Sequence, residues 1–129
     1  MSNTDFTENV MLNHVFRNTP YTAPTTIYFA LFTTATSDAG GGTEVTGNAY
    51  ARQPVSFSGP SPAGTIANSG TVTFPLASPG GWGTPTHWAI FDAISGGNML
   101  RHSPLTNPQT VAAGNNLSFP PGSIILNQD

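Results

Sequence analysis

Thr25-Thr26-Ile27-Tyr28-Phe29-Ala30-Leu31-Phe32-Thr33-Thr34 is the stretch that decides the fold. From Ile27 to Phe32 every residue is apolar or aromatic, so both alternating faces of an extended chain are apolar. A strand of that kind belongs inside a sheet covered on both sides. Working outward, residues 49–58 alternate. Ala51, Gln53, Val55 and Phe57 fall on one face, and Tyr50, Arg52, Pro54 and Ser56 on the other. Pro54 cannot donate to a ladder, which predicts an edge or a bulge there.

The rest of the chain reads the same way. Residues 58–64, rich in Gly, Pro and Ser, predict a turn. Residues 65–76 predict one strand with Val72 and Phe74 inward and Thr71 and Thr73 outward. After the Pro79-Gly80-Gly81 turn, residues 86–93 place Trp88 and Ile90 on one face and Ala89 and Phe91 on the other. Ser95-Gly96-Gly97-Asn98 reads as a hairpin turn into a strand over residues 99–104. Short strands near Thr110-Val111, over residues 117–119 and over residues 123–127 complete the set. About seven to eight short strands predict an all-β fold, a single β-sandwich or jelly roll spanning residues 1–129 as one domain. Phe29, Leu31, Val55, Phe57, Phe74, Trp88, Ile90 and Ile124 are the expected core.

One segment has helical spacing. Phe6, Val10, Met11, Leu12, Val15 and Phe16 recur at intervals near three and four, predicting a helix over residues 6–17. Asp5 stands where a cap belongs, with Glu8 three residues on. Arg17 suits the negative end of the helix dipole, and Pro20 discourages continuation. At about three turns such a helix is not stable alone, so its apolar face must dock on its own sheet or on a neighbour. Phe6, Val10 and Phe16 are the expected partner contacts, and a homo-oligomer, most simply a trimer, is the expected form.

Only 7% of the 129 residues are charged, and no lysine is present. Soluble domains carry about 25%. Such a surface suits a chain fixed in an assembly. The basic residues are Arg17, Arg52 and Arg101, too dispersed for a phosphate-binding patch, so no nucleic-acid partner is expected. The apolar runs are too short to cross a membrane, no secretory signal is expected, and the absence of Cys excludes disulfides and thiolate metal sites. Fourteen Gly and twelve Pro would suit disorder, but thirteen aromatics in short bounded runs argue for strands and turns.

Candidate chemistry is sparse. His14, His87 and His102 lack paired ligand spacing, and Ser/Lys, nucleophile-elbow and zincin motifs are absent, so no catalytic residue, cofactor or metal is expected. Asp38 and Glu44 in the glycine-rich stretch at 35–48 are too few carboxylates for a calcium site. Trp82, between Gly81 and Gly83, is the candidate ligand platform, with a lid on the end of the sandwich as the plainer role. Arg52 and Asp92 are charges in apolar strands and need partners. Arg52 is expected to pair with Asp92 or with Glu44, tying the loop to the sandwich.

Several motifs resemble one family in order. Tyr28-Phe29-Ala30-Leu31-Phe32-Thr33-Thr34, Asp38-Ala39-Gly40-Gly41-Gly42-Thr43-Glu44-Val45 and Tyr50-Ala51-Arg52-Gln53 come first. Val72-Thr73-Phe74-Pro75, Trp82-Gly83-Thr84, His87-Trp88-Ala89-Ile90-Phe91-Asp92-Ala93 and Gly96-Gly97-Asn98-Met99-Leu100 follow. Together they are similar to small virion proteins of tailed bacteriophages, described as tail-fibre or minor structural proteins. The resemblance implies a non-enzymatic virion structural protein whose partners are other virion proteins. It would sit on the capsid or tail, as a decoration or cement subunit or with a fibre. The alternative is a receptor- or glycan-binding module at a fibre tip.

Overall fold

In the computed structural model, which describes residues 2–59 and 64–127, the apolar run forms β2 (Ile27–Phe32). This strand lies inside a five-stranded antiparallel sheet. Its neighbours are β3 (Gln53–Val55) at one edge and β6 (His87–Phe91) on the other side. Next come β7 (Met99–Pro104) and β1 (Ser2–Asn3), the far edge. Pro54 therefore sits in an edge strand, where its missing donor does least harm. Two short pairs complete the β structure: β4 (Thr65–Ala67) with β9 (Ile125–Asn127), and β5 (Val72–Thr73) with β8 (Ser118–Phe119).

The alternation along β2 explains the layering. Phe29 and Leu31 lie opposite Ile90 and Trp88 in register, and their side chains enter the main core. The small sheets close over that face with Val72, Phe74, Ile124 and Phe119. Ala30 and Phe32 point the other way, into a second cluster with Ala89, Phe91 and Met99. Phe32 and Phe91 stack there at 6.1 Å. Both faces of the large sheet are thus apolar and covered, as the run at 27–32 predicts. The arrangement is all-β and sandwich-like, with one short N-terminal helix. Of the expected core, Phe57 alone is only partly buried.

Three local readings need correction. Residues 65–76 form two strands because Asn68, 3% exposed, ends the first. Its amide binds Gly70 O and Pro120 O and accepts from Ile124 N, so the chain is tied across to the start of β9. Tyr50 does not share a face with Arg52. Asn48 and Ala49 have φ of 52° and 69°, so regular extension starts only at Gln53. The expected strand at Thr110-Val111 is a single bridge between Val111 and Gly83. Of the turn expected over residues 58–64, residues 60–63 lie outside the described residues.

The helix, α1 (Asp5–Phe16), begins one residue earlier than expected and is capped by Thr4, not Asp5. Thr4 Oγ1 accepts from Thr7 N and donates to Met99 O, while Thr7 Oγ1 donates to Leu100 O. One residue therefore caps the helix and fastens it to β7. Asp5 and Glu8 stand in the first turn, where the dipole favours negative charge.

Candidate functional site

The best-organised polar cluster is built around Arg52. Its Nε and Nη2 donate to the two oxygens of Glu44 at 2.9 and 2.8 Å, a two-point ion pair. Nη1 donates to Ala93 O and Gly96 O, each at 2.8 Å. The guanidinium also lies 3.6 Å from the centre of the Phe91 ring. The guanidinium thereby joins the loop after β2, the lead-in to β3 and the β6–β7 hairpin. Tyr50 extends the cluster: its hydroxyl accepts from Leu31 N and donates to Glu44 Oε2. Burial first, and then the Glu44 charge, raise the Tyr50 phenol far above its ordinary range.

Of the two partners expected for Arg52, the structure brings Glu44 to it and not Asp92. Asp92 instead accepts from Asn98 N and Nδ2 and closes the hairpin turn. Gly97 has a φ of 73°, and a Cβ there would stand 2.5 Å from Asp92 Oδ1, which explains the glycine. The stretch at 35–48 is likewise a folded loop. Val45 N donates to Leu31 O and Thr33 N to Thr43 O, so the segment returns along β2. His102 fastens it to β7, through Thr36 Oγ1 at 2.7 Å and Asp38 Oδ1 at 2.8 Å. His14 Nδ1 accepts from Tyr21 N, and His87 meets Thr86 Oγ1. No group of three or more His, Asp or Glu suited to a metal occurs among the described residues.

Trp82 is placed in the core rather than in an open loop. It is 4% exposed, its Nε1 donates to Asn48 O, and its ring meets Tyr50 and Phe74 edge-on. Gly81 permits this: with φ at 64°, a Cβ would stand 2.5 Å from Val111 O. The indole is thus packed among Tyr50 and Phe74 in the core.

The helix face divides differently from expectation. Tyr21 packs edge-on against Phe6 at 6.2 Å, and both Phe6 and Val10 are partly buried. Phe16, the third of the expected contacts, is 78% exposed, and Leu12 and Val15 beside it are 54% and 64% exposed. The helical spacing revealed these residues as apolar but not which side the chain itself would cover.

A second feature went unread in the sequence. A cleft of about 610 Å³ opens between the end of β7, the loop at 105–109 and the β8–β9 side. Phe29, Trp88 and Phe119 line its apolar part, and Asn107 and Gln109 its polar part. Its lining comes from five separate segments, so no local motif announces it.

These features define a small all-β protein whose polar groups are spent mainly on holding loops in place. A family model described as Podophage GP4 fiber I protein gp80 matches residues 2–127. The chain belongs to that family, a family of phage fibre proteins, and its place is the virion. Association with other virion proteins follows from that membership. No curated protein matches the chain.

Proposed function

We propose that this chain is a structural fibre subunit that assembles with further copies of itself through the open side of α1. The observation that carries this reading is the exposed set Leu12, Val15 and Phe16 in a chain with only 7% charged residues. Large apolar side chains grouped on one helix mark an interaction surface. A closed ring of copies buries such a face without leaving open ends, and a trimer is the form we expect. The rigid sandwich would then serve as a spacer, positioned by shape and apolar contact and not by catalysis. Family membership supports a fibre location over capsid decoration. A cryo-electron microscopy map of the intact particle tests this. Density for the sandwich within a fibre, with α1 at a subunit contact, is expected. Density on the capsid lattice, or α1 facing solvent in the assembled fibre, would overturn the reading.

A further inference from the structure

We propose that the groove between α1 and the β4–β9 pair is the socket for Phe16 of a second copy of this chain. The inference rests on the fibre-subunit reading and deepens it: the open helix side supplies a projection, and the groove supplies the surface that receives it.

The groove has a volume of about 310 Å³. That is the small end of binding-pocket sizes, the scale of one large side chain. Met11, Ile66 and Leu126 supply its apolar lining. Ile66 and Leu126 are directly opposite in the β4–β9 ladder, so both side chains stand on one face of the pair. Met11, 36% exposed on the helix side, carries a flexible thioether that adapts to the shape of an occupant. The helix wall is held before anything docks, because Thr7, one turn before Met11, donates from Oγ1 to Leu100 O at 2.7 Å.

The single charged residue in the lining is Arg101. Its Nη1 donates to Asn127 O at 2.6 Å, which fixes the guanidinium beside the apolar residues. A fixed cation among apolar walls suits an aromatic ring, which offers an electron-rich face and a carbon body together. A cationic occupant would be repelled, and a carboxylate would give up its water against Met11, Ile66 and Leu126. The chain itself presents the matching ring. Among the exposed large apolar side chains of the described residues, Phe16 is the one aromatic and the most exposed, at 78%.

Phe16 does not face the groove of its own copy. Five residues on from Met11, it stands about 140° further around the helix, on the far side. Val15 and Leu12, both exposed, fill the arc between them, so the apolar surface runs unbroken from socket to projection. Projection and socket are thus different surfaces on opposite sides of one helix. A head-to-tail contact needs such a pair, and repeated by rotation it closes a ring.

The test is photo-crosslinking of the full chain carrying p-benzoylphenylalanine in place of Phe16. Isotope-labelled and unlabelled copies are mixed, so that peptide mass spectrometry separates links between copies from links within one. Adducts between copies at Met11, Ile66 or Leu126 are expected. Phe16→Leu, which keeps an apolar side chain and loses the ring, should weaken association about fivefold or more, while Phe16→Tyr should stay close to the wild type. Phe16 is exposed, and circular dichroism checks that both variants are folded. Adducts confined to residues 12–16 of the other copy, no adduct between copies, or a Phe16→Leu variant that associates as tightly as the wild type would overturn the proposal. Native mass spectrometry of the unaltered chain separates the two readings. A monomer overturns the fibre-subunit reading and this inference with it, whereas an assembled chain with adducts outside the groove overturns this inference alone.

Discussion

Arg52 brings a full charge to a position only 8% exposed. Such a charge is tolerated because every side of the guanidinium is met: Glu44 at two points, two carbonyls, and the Phe91 ring. Leaving either partner of a buried pair alone costs about 3–5 kcal/mol. A double-mutant cycle on Arg52→Ala and Glu44→Ala, read by urea unfolding, should give a coupling above about 1 kcal/mol. The cycle on Arg52→Ala and Asp92→Ala should give a smaller coupling than the Glu44 cycle, because the two residues share the β6–β7 hairpin but no hydrogen bond. The need for a partner was legible in the sequence, because Arg52 stands among apolar and neutral residues. Which carboxylate answers was not legible, since both reach the same end of the sheet and only the hairpin geometry assigns Asp92 to Asn98. Tyr50 allows a pH test. Its folded pKa is raised above the ordinary 10.0, first by burial, so its contribution is fully present below that pH and declines as pH rises through it. Wild-type stability should therefore fall from about pH 10 upward. Tyr50→Phe should be less stable at neutral pH by about 1–2 kcal/mol, because Leu31 N loses its acceptor. Its stability should change less between pH 9 and pH 11, roughly one unit either side of the ordinary phenol pKa. Equal slopes in the two proteins over that window would contradict the placement of Tyr50.

At the scale of elements, the helix shows how a local signal is completed by distant groups. Thr4 and Asp5 are both good caps in sequence terms. The choice falls to Thr4 because β7 presents Met99 O and Leu100 O where its hydroxyl and backbone can use them. Thr4→Ala should cost about 1–2 kcal/mol, while Asp5→Asn should cost less than about 1 kcal/mol. Thermal unfolding of both variants checks the order, and a larger loss in Asp5→Asn would reverse the assignment. The strands were easier to read. Residues 87–91 keep strict alternation, and the faces expected for Trp88, Ile90, Ala89 and Phe91 are the observed ones. Alternation failed where a single residue diverts the backbone. Ala49, with φ at 69°, turns Tyr50 into the core, and the buried amide of Asn68 divides one expected strand into two. Neither effect has a periodic signature. Trp82 and Trp88 illustrate the same limit: one stands beside glycines and one in a strand, yet both are buried.

For the whole molecule, one face of the large sheet is filled by rings that meet tilted or edge-on. Phe29 touches Phe74, Trp88 and Phe119 and is fully buried. Phe29→Ala and Trp88→Ala should each cost about 3–5 kcal/mol in chemical unfolding, and a loss below about 1 kcal/mol would mean the ring is not internal. The fibre family places the protein among other virion proteins, and its sparse charge suits such a setting. With so few charges, association should weaken little as salt rises. The central claim is that the open side of α1 joins copies of the chain. Native mass spectrometry of the wild type beside Leu12→Asp/Phe16→Asp tests it most directly, with circular dichroism confirming that both are folded. The account predicts a trimer for the wild type and a monomer for the folded double variant. A wild type that stays monomeric at high concentration, or a double variant that assembles as the wild type does, would contradict it.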